Sequence, residues 1–247
     1  MVYAGIVIFA LLLGSFLNVL IYRLPREESI VFPGSRCPSC SHSLKWTDLI
    51  PVVSFLALKG RCRYCNASIS RRYPAVEVIT AVSFVLVFIK WGYSLETLGG
   101  WGLNLVLISS AFIDLEHGII PDSITYPSII AGLVLAFFTV GLKSSLGGLA
   151  LFAGILFLLA VLSGGGMGGG DIKLAGVIGA FAGFQGALTA FFISSIAGGI
   201  YSVILILAKK AGRKTMVKFG PFLALAGFFA YNYSREIWTV YLGFFIK

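Results

Sequence analysis

Residues 2–21 carry no charged side chain. About 20 apolar residues make a helix long enough to cross the hydrocarbon core of a bilayer. That stretch is only the first of a series. Further apolar runs occupy 76–93, 97–113, 126–142, 146–162, 172–184, 187–208 and 219–245. Segments in lipid must satisfy their own backbone polar groups, which favours helices. The expected fold is therefore an all-α polytopic membrane protein with about eight transmembrane helices. The boundary near Gln185 and Gly186 is weak and leaves seven open. Charged residues make up 12% of the chain, against about 25% in a soluble domain. A net charge of +9 would suggest nucleic acid in a soluble protein. Here the charges flank apolar runs, so membrane lipid is the expected partner and nucleic acid is not.

The charges also orient the chain. A cleaved signal peptide has basic residues before its apolar core. Here they follow it, at Arg23 and Arg26, so the first run reads as a retained helix with its N-terminus outside. Residues 22–74 hold nine Lys or Arg, three acids, all four cysteines and five of the eight prolines. With eight crossings, the odd-numbered connections begin with this loop and end with 209–218. They collect fourteen Lys or Arg, while the opposite side keeps Lys90, Lys143, Arg235 and Lys247. Basic residues concentrate on the cytoplasmic side, which puts the loop in the cytoplasm. Anionic lipid is then the expected partner for the loop's own charge.

The cysteines form one constellation. Cys37-Pro-Ser-Cys40 is followed, after 21 residues, by Cys62-Arg-Tyr-Cys65. Paired CxxC knuckles at this spacing read as a zinc ribbon. All four tetrahedral positions are filled by protein, so the expected zinc is structural. The alternative is two redox pairs or a disulfide staple, which a cytoplasmic loop disfavours.

The aspartates form the second constellation. Beyond Glu77 the acids are Glu96, Asp114, Glu116, Asp122, Asp171 and Glu236. Asp114 closes the third span and Asp171 opens the sixth, so both fall at cytoplasmic ends. Taken alone, Asp114 reads as a boundary carboxylate and Asp171 as an N-cap in a favourable helix-dipole position. Six glycines and one Met between Gly164 and Gly170 shift the balance. Such a run costs conformational entropy, and it lets backbones approach closely. Two carboxylates meeting in a partly desolvated site share a proton, the basis of aspartic-protease chemistry. No HExxH pattern is present, and His117 reads as an interfacial polar residue. Glu116 and Asp122 are reserve acids, with Asp122 read as an N-cap or Asx-turn residue.

These residues resemble a family. Gly168-Gly-Gly170-Asp171 is similar to the GxGD motif of intramembrane aspartic proteases. Ile-Asp114-Leu-Glu-His-Gly-Ile-Ile-Pro-Asp122 resembles the other catalytic segment of bacterial type IV prepilin peptidases. Gly14-Ser-Phe-Leu-Asn18-Val, Arg23-Leu-Pro25, the paired CxxC loop and Arg71-Arg72-Tyr-Pro-x-x-Glu77 resemble that family's N-terminal region. The resemblance implies an enzyme of the bacterial inner membrane. It would cleave the leader of type IV prepilins and pseudopilins after a Gly, at the cytoplasmic face. It would then N-methylate the new N-terminus using S-adenosylmethionine. Asp114 and Asp171 map to the catalytic pair, Gly168 and Gly170 support the loop beside them, and Gly60 maps to a glycine tied to methylation. The implied division is a methylation-associated region at 1–93 and a peptidase domain at 94–247.

Methyl transfer needs an amine held in line with an activated donor. Asn18, Arg23, Glu77 and the backbone at Gly60 are the polar groups near the first span and loop. For Glu77, an interfacial ion pair with Arg71 or Arg72 is an equal alternative. Two other classes compete: a transporter whose aspartates bind ions, and a zinc-stabilised scaffold. Transporter sites lie near the midplane, whereas these acids sit at helix ends.

Overall fold

The computed structural model describes residues 1–164, 166–208 and 218–245. Eight α-helices account for most of them: α1 Val2–Arg23, α2 Val53–Ala57, α3 Arg72–Trp91, α4 Leu95–His117, α5 Asp122–Ala136, α6 Leu142–Leu162, α7 Gly169–Leu207 and α8 Gly220–Phe245. Helices α1, α3, α4, α6 and α7 are long and apolar enough to cross a membrane. The chain divides into two compact units, Met1–Gly92 and Tyr93–Lys247.

In the first unit α1 and α3 pack along a small-residue seam. A Cβ on Gly14 would lie 2.7 Å from the Glu77 Cα and 3.2 Å from Thr80 Oγ1. Only glycine permits that approach. Between these helices the chain forms a 3-10 turn at Trp46–Leu49, the short helix α2 and two cysteine knuckles.

In the second unit α4 starts at Ser94, whose hydroxyl accepts the Thr97 N–H at 3.3 Å. It stops at Gly118, which has φ 69° and donates its N–H to the Asp114 carbonyl at 2.9 Å. A left-handed glycine is a common helix terminator. Leu103, Leu107, Phe152, Leu174, Ile178 and Leu223 anchor the core, bringing α4, α6, α7 and α8 together.

Helix α7 resolves the weak boundary. Its 39 residues would run to about 58 Å if straight, nearly twice a hydrocarbon core. Gly183 breaks it, with φ 70° and ψ −173°. The interruption falls two to three residues before the Gln185–Gly186 position expected from sequence. Helix α6 contacts both sides of the break. Gly148 abuts the Gly183 carbonyl, while the Phe152 ring stands 6.3 Å from that of Phe191. The second half of α7 therefore folds back alongside the first. A break frees backbone groups that lipid cannot satisfy, and two serines of α6 take them. Ser145 donates to the Ala180 carbonyl at 2.5 Å, and Ser144 accepts the Phe184 N–H at 3.1 Å.

One apolar run is displaced. Residues 126–142 were expected to span, yet α5 covers Asp122–Ala136 and the chain turns before Gly141, which has φ 85°. Pro121 starts the helix earlier than hydropathy does, since its fixed φ suits a helix entrance.

Candidate active site

Asp114 lies in the last turn of α4 and is buried. Its Oδ2 accepts the Gly220 N–H, the first of α8, at 3.0 Å. Gly220 is pressed against it: a Cβ there would fall 2.7 Å from Oδ2. Lys218 reaches back to the Leu115 carbonyl at 2.5 Å, placing a cation at the α4 C-terminus, where the helix dipole favours one.

Asp171 occupies the first turn of α7, whose N-cap is Gly168. It is not itself the N-cap. Its carboxylate reaches back to the Gly168 N–H, the second half of a capping box. The turn is held against the segment after α4: a Cβ on Gly170 would meet the Ile120 Cβ at 2.9 Å. The two carboxylates thus approach from opposite helix ends and come within electrostatic range of each other. Gly168 and Gly170 stand beside them.

The reserve acids are committed elsewhere. Asp122 is not the N-cap of α5. Pro121 is, and the Asp122 carboxylate pairs with the Lys173 ammonium. The same ammonium lies 5.5 Å from the Tyr126 ring. Glu116 stands 3.8 Å from His117.

The cysteine centre is built from two copies of one turn. In the first, the Cys37 N–H meets the His42 carbonyl, the Ser41 N–H that of Cys37, and the Leu44 N–H that of Ser35. In the second, Cys62 meets Ala67, Asn66 meets Cys62, and Ile69 meets Gly60. Ser41 and Asn66 both take a left-handed φ, 57° and 59°. The paired knuckles read from the sequence thus extend to matching backbone bonds on both flanks, although beyond the cysteines only a few flanking residues match. All four Sγ atoms lie within 4.8 Å of one another, with Cys37 and Cys65 at 3.8 Å. Four thiolates at 2.3 Å from a tetrahedral zinc stand about 3.8 Å apart, so the donor set fits. Burial pushes the Cys37 thiol up, but the Cys40 and Ser39 N–H groups and nearby thiols outweigh it and bring it to about 7. The Ala67 N–H favours Cys65 thiolate, but burial and the other three sulfurs push this thiol up to about 12. A bound cation would let all four ionise together. The knuckles are braced by Asp48, which accepts from Arg63 Nε at 2.7 Å and Tyr64 Oη at 3.2 Å. Burial alone would raise the Asp48 carboxyl, but Arg63 and its other donors hold it below the usual range.

The other N-terminal candidates separate into two groups. Arg23 Nη1 donates to the Ser29 carbonyl at 2.7 Å, and Nη2 to that of Pro33 at 2.6 Å. Its guanidinium organises the loop entrance. Asn18 and Glu77 share the α1–α3 seam. Asn18 Nδ2 donates to the Tyr73 carbonyl at 3.0 Å, while its buried Oδ1 has no hydrogen-bond partner among the described residues. The buried Glu77 carboxylate accepts the Val52 N–H at 2.7 Å and bonds Ser15. These bonds, to a backbone amide and a hydroxyl, fix the Glu77 carboxylate in the α1–α3 seam. Val52 leads into α2, and Gly60 lies beyond it, where a Cβ would be 3.1 Å from the Phe55 ring. Glu77 and Gly60 are therefore joined through α2.

Gly220 escaped the sequence reading. Phe219-Gly220-Pro221 announces a helix start, but nothing local says which carboxylate that start will face.

A buried carboxylate, Asp114, and a half-buried one, Asp171, at opposed helix ends beside a glycine-rich turn make this the candidate acid–base site of an apolar helical protein. Two family descriptions match the chain: Bacterial Peptidase A24 N-terminal domain over residues 8–91, and Type IV leader peptidase family over residues 101–203. A prepilin leader peptidase/N-methyltransferase of Stutzerimonas stutzeri is 35% identical, covering 96% of this chain and 92% of its own. One from Neisseria gonorrhoeae is 36% identical over 94% and 90%. One from Pseudomonas aeruginosa is 33% identical over 96% and 92%. The chain belongs to the type IV leader peptidase family. No solved structure matches it.

Proposed function

We propose that this chain removes the leader of type IV prepilins and pseudopilins after a Gly, and methylates the exposed amine. The observation that carries the reading is the meeting of Asp114 and Asp171 at opposed helix ends. A water held between the carboxylates attacks the scissile carbonyl. One carboxylate takes the water's proton while the other donates to the carbonyl oxygen, and the proton then passes to the leaving amine. The dyad acts as a unit, so no fixed proton is assigned to either residue. The Gly168–Gly170 turn leaves room for an extended substrate strand, since a helix hides its carbonyls.

Amine methylation is assigned to residues 1–93 and peptide cleavage to 94–247. S-adenosylmethionine supplies an activated methyl group when bound. The unpartnered Asn18 Oδ1 and the Glu77 carboxylate are suited to hold an ammonium group and accept its proton, with Gly60 and Arg23 shaping the adjoining loop. Cys37, Cys40, Cys62 and Cys65 hold a structural zinc. Counting α5, both halves of α7 and α8 gives eight passes, with the N-terminus outside and the dyad at the cytoplasmic face of the inner membrane.

The test is cleavage of a pilin precursor in detergent, read as a mobility shift. Asp114→Asn and Asp171→Asn should each abolish it while thermal stability is retained. Near wild-type cleavage by either variant would overturn the dyad.

A further inference from the structure

The cysteine-bearing segment carries exposed apolar side chains that its own fold leaves uncovered. Val31 and Phe32 are 65% and 77% exposed, Trp46 is 78%, and Val53 and Leu56 on α2 are 59% and 68%. Patches of this kind mark interaction surfaces. Two anchors fix the height of Val31–Phe32 and of α2 along the spans. Arg23, the last residue of α1, holds the carbonyls of Ser29, Pro33 and Gly34. Val31 and Phe32 are thereby tied to the end of a membrane-crossing helix.

The second anchor is Glu77, which takes the Val52 N–H at 2.7 Å. Glu77 is five residues past the first residue of α3, about 7–8 Å along its axis. The polar band of one leaflet is about 5–8 Å deep, the difference between hydrocarbon and full bilayer thickness. Helix α2 therefore begins within that band. Val53 and Leu56 are three residues apart and share a face of it. Exposed Lys45 and Lys59 flank the same stretch.

We infer that Val31–Phe32, Trp46 and the Val53–Leu56 face of α2 dock on the surface of an anionic bilayer. Apolar tips beside cations fit the boundary between acyl chains and negative headgroups, and Trp is favoured at that depth. The docking holds the cysteine module down on the membrane beside its own helices. It stands on the anchors and exposures alone, independently of any catalytic role.

The test uses Trp46 as a probe in the full chain, with Trp91, Trp101 and Trp238 changed to Phe. The protein is reconstituted in phosphatidylglycerol-containing vesicles brominated either near the head or near the end of the acyl chain. Shallow bromines should lower Trp46 emission more than deep ones do, and aqueous iodide should have little effect. Quenching by iodide but not by bromolipid would overturn the docking. So would protection from both, which places Trp46 against protein instead. Equal quenching in purely zwitterionic vesicles would overturn the anionic requirement. If the triple variant does not fold, the difference between wild type and Trp46→Phe gives the same readout.

Discussion

Replacing Gly220 by Ala tests how tightly the α8 N-terminus is fitted to Asp114. The added Cβ would lie 2.7 Å from Asp114 Oδ2, 2.9 Å from its Cβ and 3.0 Å from its Cγ, where ordinary contact begins at 3.4 Å. All three atoms belong to one short side chain, so the carboxyl must retreat as a body, by roughly 0.7 Å. Retreat stretches the 3.0 Å bond from the Gly220 N–H beyond useful length. A hydrogen bond to a charged group contributes about 1.5–3 kcal/mol, and misplacement by about 1 Å can cost 100-fold in rate. Cleavage should therefore fall roughly 10- to 100-fold, at about 1.4 kcal/mol per tenfold. Helix propensity offsets only part of the loss in stability. Gly220 has no left-handed φ, and Ala inside a helix is favoured over Gly by up to about 1 kcal/mol. The assay pairs precursor cleavage with thermal unfolding of the same preparation. Cleavage within about twofold of wild type would refute the claim that this contact sets the Asp114 carboxyl.

Four further perturbations follow from the same geometry. Cys37→Ser with Cys40→Ser should eliminate zinc from freshly purified protein, measured by metal analysis, and expose residues 22–74 to protease; wild-type protein without zinc would contradict the assignment. Glu77→Gln keeps an acceptor for the Val52 N–H, whereas Glu77→Ala does not. If Glu77 positions the Gly60 turn, mass spectrometry of the mature pilin should show methylation retained with Gln and lost with Ala, and loss in both would assign Glu77 to proton transfer. A bulky residue at Gly60 should likewise reduce methylation more than cleavage. Ser145→Ala leaves the Ala180 carbonyl unpaired at the α7 break and should lower unfolding stability by about 0.6–2 kcal/mol; an unchanged melting temperature would mean the carbonyl finds another donor.

The legible parts of the site share one property: their signal is local. Paired CxxC motifs carry their knuckle reading in their own spacing, and an Asp following a run of six glycines and one Met in an apolar chain stands out by rarity. Apolar runs likewise mark helices, though hydropathy placed α5 several residues late because Pro121, Asp122 and Thr125 start a helix without being apolar. The break in α7 was read near Gln185 because a polar side chain interrupts the run there. The backbone turns at Gly183 instead, where a positive φ is needed and where Ser144 and Ser145 wait forty and thirty-five residues upstream to pair the freed groups. The same distance hid Gly220, 106 residues from the carboxylate it faces, and hid Glu77's bond to Val52.

Asp114 and Asp171 are brought together by how two helices end rather than by any contact between the carboxylates. Helix α4 must stop within a turn of Asp114, or the chain would carry Ile120 past the site. The left-handed Gly118 stops it and spends the Asp114 carbonyl in doing so. Ile120 then meets the α7 entrance at Gly170, where any side chain would collide with it at 2.9 Å. Gly220 closes the third side. Each of these glycines stands where a Cβ would either strain the backbone or strike a neighbour. At Gly118, Gly170 and Gly220 glycine is therefore required by the backbone or by the packing around these two carboxylates. Among the described glycines of the 164–170 run, Gly164 and Gly169 have nothing within 4 Å of a would-be Cβ, and of these two only Gly169 lacks a left-handed φ. It is the position in that turn best able to accept a side chain without displacing Asp171.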